Sequence, residues 1–259
     1  MKAVILAGGF GTRLSELTYD LPKPLVLIDD KPIIVHLMLH LSKFGINDFI
    51  ILAGYKGWMF KEYFRNYHSN SNDFTINIST GDIRILKPAE GYSASKDWSV
   101  SIIDTGINTM TGGRIKRIQN LIGENENFLL TYGDGLSNVD ISELVRLHES
   151  KSNDLTVTAV NPPARFGSLQ IKDSVVTSFS EKPKESQDFI NGGFMISNSK
   201  IFDYIDNDQT ILEREPMSRM SQTGKLGAFI HTGFWQCMDT KRDLDSLKEI
   251  VKSGDIPWL

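Results

Sequence analysis

Hydrophobic positions along this chain follow two rhythms. Residues 3–7 (AVILA) and 48–53 (DFIILA) are short, continuous apolar runs, as expected of strands covered on both faces. Between them Ile33, Ile34, Leu37, Met38 and Leu41 recur at helical spacing, which predicts a helix over residues 32–44 that stops at Gly45. Phe60, Tyr63, Phe64 and Tyr67 share one side of a second predicted helix, residues 58–67. Further on, residues 127–131 read as a strand, 139–151 as a helix and 154–160 as a strand. This alternation predicts an α/β fold, a Rossmann-like, mostly parallel mixed sheet with helices on both faces.

The rhythm then breaks. Residues 69–114 are rich in Ser, Asn, Thr and Gly and hold only short strand-like runs at 75–79, 83–86 and 100–103. They read as a β/loop insertion, and an irregular stretch of that length points to a functional loop. Residues 165–196 read as a β-meander, 197–225 as helical, and 241–252 as a C-terminal helix. With no repeat and no low-complexity linker, the chain reads as one domain over residues 1–259 carrying small β insertions.

Composition narrows the function. At 40% hydrophobic and 23% charged residues the chain is of ordinary globular type, and its net charge of −4 argues against a general nucleic-acid binder. A lone cysteine, Cys237, excludes an intrachain disulfide and fits a reducing compartment. No apolar run nears the roughly 20 residues a membrane helix needs, and the first glycines come too soon for a signal peptide. The expectation is a cytoplasmic protein with neither a nucleic-acid nor a membrane partner.

The chemistry gathers at predicted strand ends. Leu6 and Ala7 run into Gly8-Gly9-Phe10-Gly11-Thr12-Arg13. Glycines there let backbone N–H groups approach an anion, and Arg13 adds a guanidinium fork suited to phosphate; a plain surface turn is the alternative. Neither GxGxxG nor a Walker A loop is present. Prolines 22 and 24 hold Lys23 in an extended segment. Asp134, between Gly133 and Gly135, and Asp239 are candidate ligands for Mg²⁺, which takes one or two carboxylates plus substrate phosphates. An Asp-Gly turn and a helix N-cap are their ordinary readings. Lys182 in Glu181-Lys182-Pro183 is a second candidate phosphate or sugar contact. Asn191, before Gly192 and Gly193, suits sugar hydroxyls. Thr111-Gly112-Gly113-Arg114 is either a loop tip or an arginine reaching a phosphate or another subunit's site. His36 and His40 are four apart, but zinc wants three or four ligands and none joins them.

Taken together, LAGGFGTRL (residues 6–14) and the PKP lysine resemble the sugar-phosphate nucleotidyltransferases. Residues 98–114 (WSVSIIDTGINTMTGGR), 132–135, 165–167, 181–183, 191–194 and 233–240 are similar to the glucose-1-phosphate cytidylyltransferases within that family. The resemblance implies the nucleotide-diphospho-sugar transferase fold and a Mg²⁺-dependent reaction of CTP with α-D-glucose 1-phosphate, giving CDP-glucose for surface-polysaccharide sugars. It implies that Leu6, Ala7, Gly8, Gly9, Gly11, Thr12, Arg13, Lys23, Thr111, Arg114 and Asp134 contact the nucleotide. Tyr132, Gly133, Glu181, Lys182, Asn191, Gly192 and Trp235 would contact the sugar phosphate. Arg13, Lys23, Asp134 and Asp239 would carry catalysis, with Asp134 and Asp239 on the metal. A homo-oligomer, trimer or hexamer, is implied, with the 69–114 insertion as a contact. Phe10 stands where the family often has leucine, Cys237 where proline is common, and residues 81–96 match loosely. The rival readings are the same chemistry with UTP, dTTP or another sugar phosphate, and a silent nucleotide-binding subunit.

Overall fold

The computed structural model describes residues 1–9, 19–88, 97–124, 126–162, 168–172, 174–180 and 189–259. Seven strands form its main sheet: β1 (Lys2–Leu6), β2 (Asp48–Ala53), β3 (Ser99–Asp104), β4 (Phe128–Tyr132), β5 (Leu155–Val160), β6 (Ile190–Ser197) and β7 (Leu226–His231). Their order is β7-β5-β6-β4-β1-β2-β3. All pairings are parallel except those of β6, which runs antiparallel to both β4 and β5. The carboxyl ends of β1 to β4 therefore share one edge of the sheet with the start of β6. In open α/β sheets that edge is where ligands bind.

Strand alternation explains the continuous apolar runs. Ala3 and Ile5 of β1, with Phe49 and Ile51 of β2, enter one core. Val4 and Leu6, with Ile50 and Leu52, enter a second core on the opposite face. A strand buried on both faces has no position left for a polar residue. Helices α1 (Ile33–Ser42), α4 (Ile141–Lys151) and α6 (Lys241–Ser253) cover the first core, through residues such as Leu37, Leu144 and Leu247. Helix α3 (Thr111–Lys116), α5 (Glu215–Gln222) and the 3₁₀ turn Ser199–Tyr204 cover the second, through Ile115, Met220 and Phe202. Helix α2 (Gly57–Arg65) contributes Phe60 to the first.

Several expectations change. The run at 100–103 is not a small insertion strand: it is β3, the edge strand paired with β2. Of the 69–114 insertion, Asn72–Ile76 and Ile83–Pro88 form a separate antiparallel ribbon. The predicted meander splits as well. Among the described residues Ser168–Lys172 pairs with Val175–Ser180 in a separate two-stranded ribbon, while β6 lies in the main sheet between β4 and β5. The stretch 197–225 is helical only in Ser199–Tyr204 and in α5. Strand β7 was not anticipated; its sequence LGAFIH alternates poorly and leaves Ile230 60% exposed.

The two histidines of α1 belong to the fold. Trp258 Nε1 donates to His36 Nδ1 (3.3 Å), so His36 Nε2 carries the proton and donates to the carbonyl of Ile28 (3.1 Å). Burial pulls the His36 pKa down, as protonation would set an N–H against the indole N–H. His40 lies between the carbonyls of Trp258 and Val139. Together they fasten the C-terminal residues onto α1.

Candidate active site

Lys23 stands at the head of a 3₁₀ turn, Lys23–Leu25, entered from Pro22 at φ −56° and ψ 137°. Pro24 and Leu25 are buried, which fixes the backbone that carries the lysine. A Cβ on Gly133 would lie 2.9 Å from Pro24 Cγ, so glycine lets the proline rest on the end of β4. The Lys23 Nζ donates to Asp134 Oδ2 and to Asp239 Oδ1, each at 2.6 Å. Burial by itself would lower this lysine's pKa; the two carboxylates outweigh it and hold the pKa above the usual lysine value.

A small ribbon brings the two aspartates together from distant parts of the chain. Gly135–Ser137 pairs antiparallel with Trp235–Cys237, in a register that sets Gly135 opposite Cys237. The Met238 N–H donates to the carbonyl of Asp134 (2.9 Å). The ordinary reading of Asp239 as a helix cap does not hold. Thr240 caps α6, in a capping box with Asp243. The Asp243 carboxylate also accepts the backbone N–H of Asp239 (3.0 Å), anchoring the main chain next to the Lys23 contact. Cys237 Sγ lies 3.7 Å from Asp239 Oδ2. Burial, then the carboxylates of Asp239 and Asp134, push this thiol up to about 11, so it adds no charge to the corner.

Lys23, Asp134 and Asp239 line a cavity of about 680 Å³. Its second wall is the end of β1, Leu6 to Gly9, and its third is the stretch Ile107 to Thr111 with Arg114. That volume falls within the usual range for small-molecule sites. The expected phosphate contact of Arg114 meets a different geometry. Its guanidinium is buried and donates to the carbonyls of Ala53, Gly106, Gly8 and Ile107 and to Thr105 Oγ1. These acceptors lie at or just beyond the ends of β1, β2 and β3, so Arg114 ties three strand ends together. Neither Gly8 nor Gly54 has room for a side chain, because a Cβ on either would overlap the guanidinium. The TGGR segment is the first turn of α3 rather than a loop tip. Gly112 and Gly113 admit the backbone of Thr210 and Asp208, which packs against that turn.

On the other side of β4, Asn191 opens the β6 side of the site. Its Oδ1 accepts the Gly193 N–H (3.0 Å), so its Nδ2 donors face Tyr132. Gly193 has φ +88°, and a Cβ there would press on the Tyr132 ring at 2.7 Å. Trp235 Nε1 donates to the carbonyl of Gly192 (2.7 Å). Thr111 and Tyr132 both bond to Glu213. Of the sequence-derived candidates, Gly11, Thr12, Arg13, Glu181 and Lys182 lie outside the described residues. The structure brings the other candidates to the same sheet edge. Glu213, Thr105, Gly54 and Asp243 were missed. Only Asp243 had a signal, its capping-box spacing from Thr240.

Residues 2–236 match the family described as Nucleotidyl transferase. The chain belongs to this family of nucleotidyltransferases, and the mixed seven-strand sheet is its fold. Among its relatives, the glucose-1-phosphate cytidylyltransferase of Salmonella typhimurium is 46% identical over 258 residues, covering 100% of this chain and 98% of the relative. The probable glucose-1-phosphate cytidylyltransferase of Bacillus subtilis is 41% identical, covering 100% and 99%. Among solved structures, HddC from Yersinia pseudotuberculosis superposes with a TM-score of 0.68 at 25% identity, covering 96% of this chain and 99% of that one.

Proposed function

We propose that this chain is a glucose-1-phosphate cytidylyltransferase: CTP and α-D-glucose 1-phosphate give CDP-glucose and diphosphate. The full-length likeness to enzymes of that name supports the substrate pair. The observation that carries the chemistry is the Lys23 ammonium held between Asp134 and Asp239 in the wall of the cavity. A phosphate oxygen of glucose 1-phosphate attacks the α-phosphorus of CTP. The bond from that phosphorus to the bridging oxygen breaks, and diphosphate leaves with the electron pair. Such a transfer asks for positioning and charge neutralisation more than for covalent help from the protein.

The residues take these roles in the proposal. The wall from Leu6 to Gly9 and the stretch ending at Thr111 receive the nucleoside. Gly11, Thr12 and Arg13 meet the departing phosphates, and Lys23 neutralises the α-phosphate and the incoming one. Tyr132, Gly133, Asn191, Gly192 and Trp235 form the side that receives the sugar phosphate, and Glu181 and Lys182, outside the described residues, are assigned to the same substrate. Arg114 acts by shaping the nucleotide wall. Asp134 and Asp239 fit a divalent cation, which we take to be Mg²⁺. They are two hard oxygen donors already gathered around one positive charge, and substrate phosphates complete such a set. When bound, the cation withdraws charge from the phosphate oxygens.

Phosphorus NMR of CTP, glucose 1-phosphate and MgCl₂ with the protein tests the reaction. Signals of CDP-glucose and diphosphate are expected to grow in step. Release of inorganic phosphate with no sugar nucleotide would refute a transferase.

We also propose that the chain self-associates through the ribbon Asn72–Ile76/Ile83–Pro88. It exposes Phe74 (41%), Ile76 (41%), Ile83 (49%) and Leu86 (57%), and a two-stranded ribbon is marginal by itself. Light scattering during gel filtration is expected to give a multiple of the 29.1 kDa chain mass; a monomer at micromolar concentration would contradict this. No helix among the described residues is long and apolar enough to cross a membrane.

A further inference from the structure

The geometry points to Glu213 as a positioning residue that locks the sugar side of the site to the nucleotide side. This inference rests on the reaction proposed above. Glu213 follows the segment that docks on α3: Met110 N donates to Asp208 O (2.8 Å) and Gly113 N to Thr210 O (3.2 Å). It is therefore attached to the nucleotide wall. Its carboxylate nevertheless reaches across to β4, and Tyr132 and Thr111 each donate a hydroxyl to it. Tyr132 bonds to Oε1 at 2.5 Å and Thr111 to Oε2 at 2.6 Å.

The direction of every proton in this network follows from its ends. The Leu212 N–H donates to Thr111 Oγ1 (2.9 Å), so the Thr111 proton points to Glu213. The Gly193 N–H occupies Asn191 Oδ1, so Asn191 Nδ2 faces the Tyr132 oxygen (3.5 Å) and the phenol proton also points to Glu213. A carboxylate is the only side-chain group of this size that accepts at both ends. Glutamine there would put an N–H₂ against one hydroxyl and force it to turn. The phenol, and the Asn191 amide behind it, would lose their fixed orientation toward the sugar.

The test compares Glu213→Gln, Tyr132→Phe and the double variant, with initial rates over CTP and glucose 1-phosphate and a thermal melt of each. Each single variant is expected to raise the KM for glucose 1-phosphate about tenfold, with the KM for CTP within threefold and an unchanged melting temperature. The double variant is expected to be no worse than the weaker single, because both break the same link. Wild-type kinetics in Glu213→Gln would overturn the inference. So would single effects that multiply in the double variant, or losses in both substrates that track a lowered melting temperature. A wild-type protein inactive on CTP and glucose 1-phosphate would count against the proposed reaction instead. The same comparison then uses the nucleotide and sugar phosphate it does turn over.

Discussion

Asp239→Asn is expected to lower kcat about a thousandfold, or ~4 kcal/mol of transition-state stabilisation, while the protein still folds and still binds nucleotide. The side chain is partly exposed at 22% and serves no helix cap, since Thr240 and Asp243 fill that role. Asparagine is nearly the same size, so packing is kept. What disappears is one of the two negative charges that gather a cation against the reacting phosphates, a loss felt most where charge moves in the transition state. Lys23 keeps its bond to Asp134. Steady-state kinetics at saturating MgCl₂, with circular dichroism as the folding control, checks this. A kcat within threefold of wild type would make Asp239 a structural partner of Lys23 and nothing more.

Gly8→Ala is expected to destabilise the protein by about 2–4 kcal/mol and to abolish most nucleotide binding. The methyl group would overlap the Arg114 guanidinium, the nearest group to that position. Arginine side chains usually swing aside, but this one is buried and donates to five acceptors at the ends of three strands. Displacing it takes the buried guanidinium off its acceptors, and a buried polar group left unsatisfied costs roughly 1–3 kcal/mol, more when it is charged. Urea unfolding is the readout. A free energy of unfolding unchanged within 0.5 kcal/mol, roughly the scatter of surface substitutions, would show that Arg114 moves freely and is not a tie.

These two residues also show what the sequence made legible. Asp239 and Asp134 could be picked out because chemistry needs carboxylates and glycines mark strand ends, and those types stand out in a chain. Their meeting at Lys23 follows from the pairing of Gly135 with Cys237, a long-range register with no local signal. Arg114 was legible as important but not in its role. A guanidinium aimed at phosphate and one spent on strand-end carbonyls have the same sequence. Glycines 8, 54, 112 and 113 look like flexibility in the sequence, and in the structure they are clearance for an arginine and for a neighbouring backbone. Buried strands β1 and β2 were readable from their unbroken apolar runs. β3 was readable as a short strand but not as a member of the main sheet, and β7 was not readable: each is an edge strand, with polar or exposed positions that weaken its pattern.

Glu213 had no signal at all, because a surface carboxylate before a helix is among the commonest features of any chain. Only the positions of the Thr111 and Tyr132 hydroxyls give it a role.

The most direct test of the account is the ratio of kcat/KM for CTP to that for UTP, dTTP and GTP, with glucose 1-phosphate as acceptor and diphosphate release as readout. CTP is expected to lead by at least a hundredfold, about 2.7 kcal/mol of discrimination. A higher kcat/KM for UTP or dTTP than for CTP would contradict it.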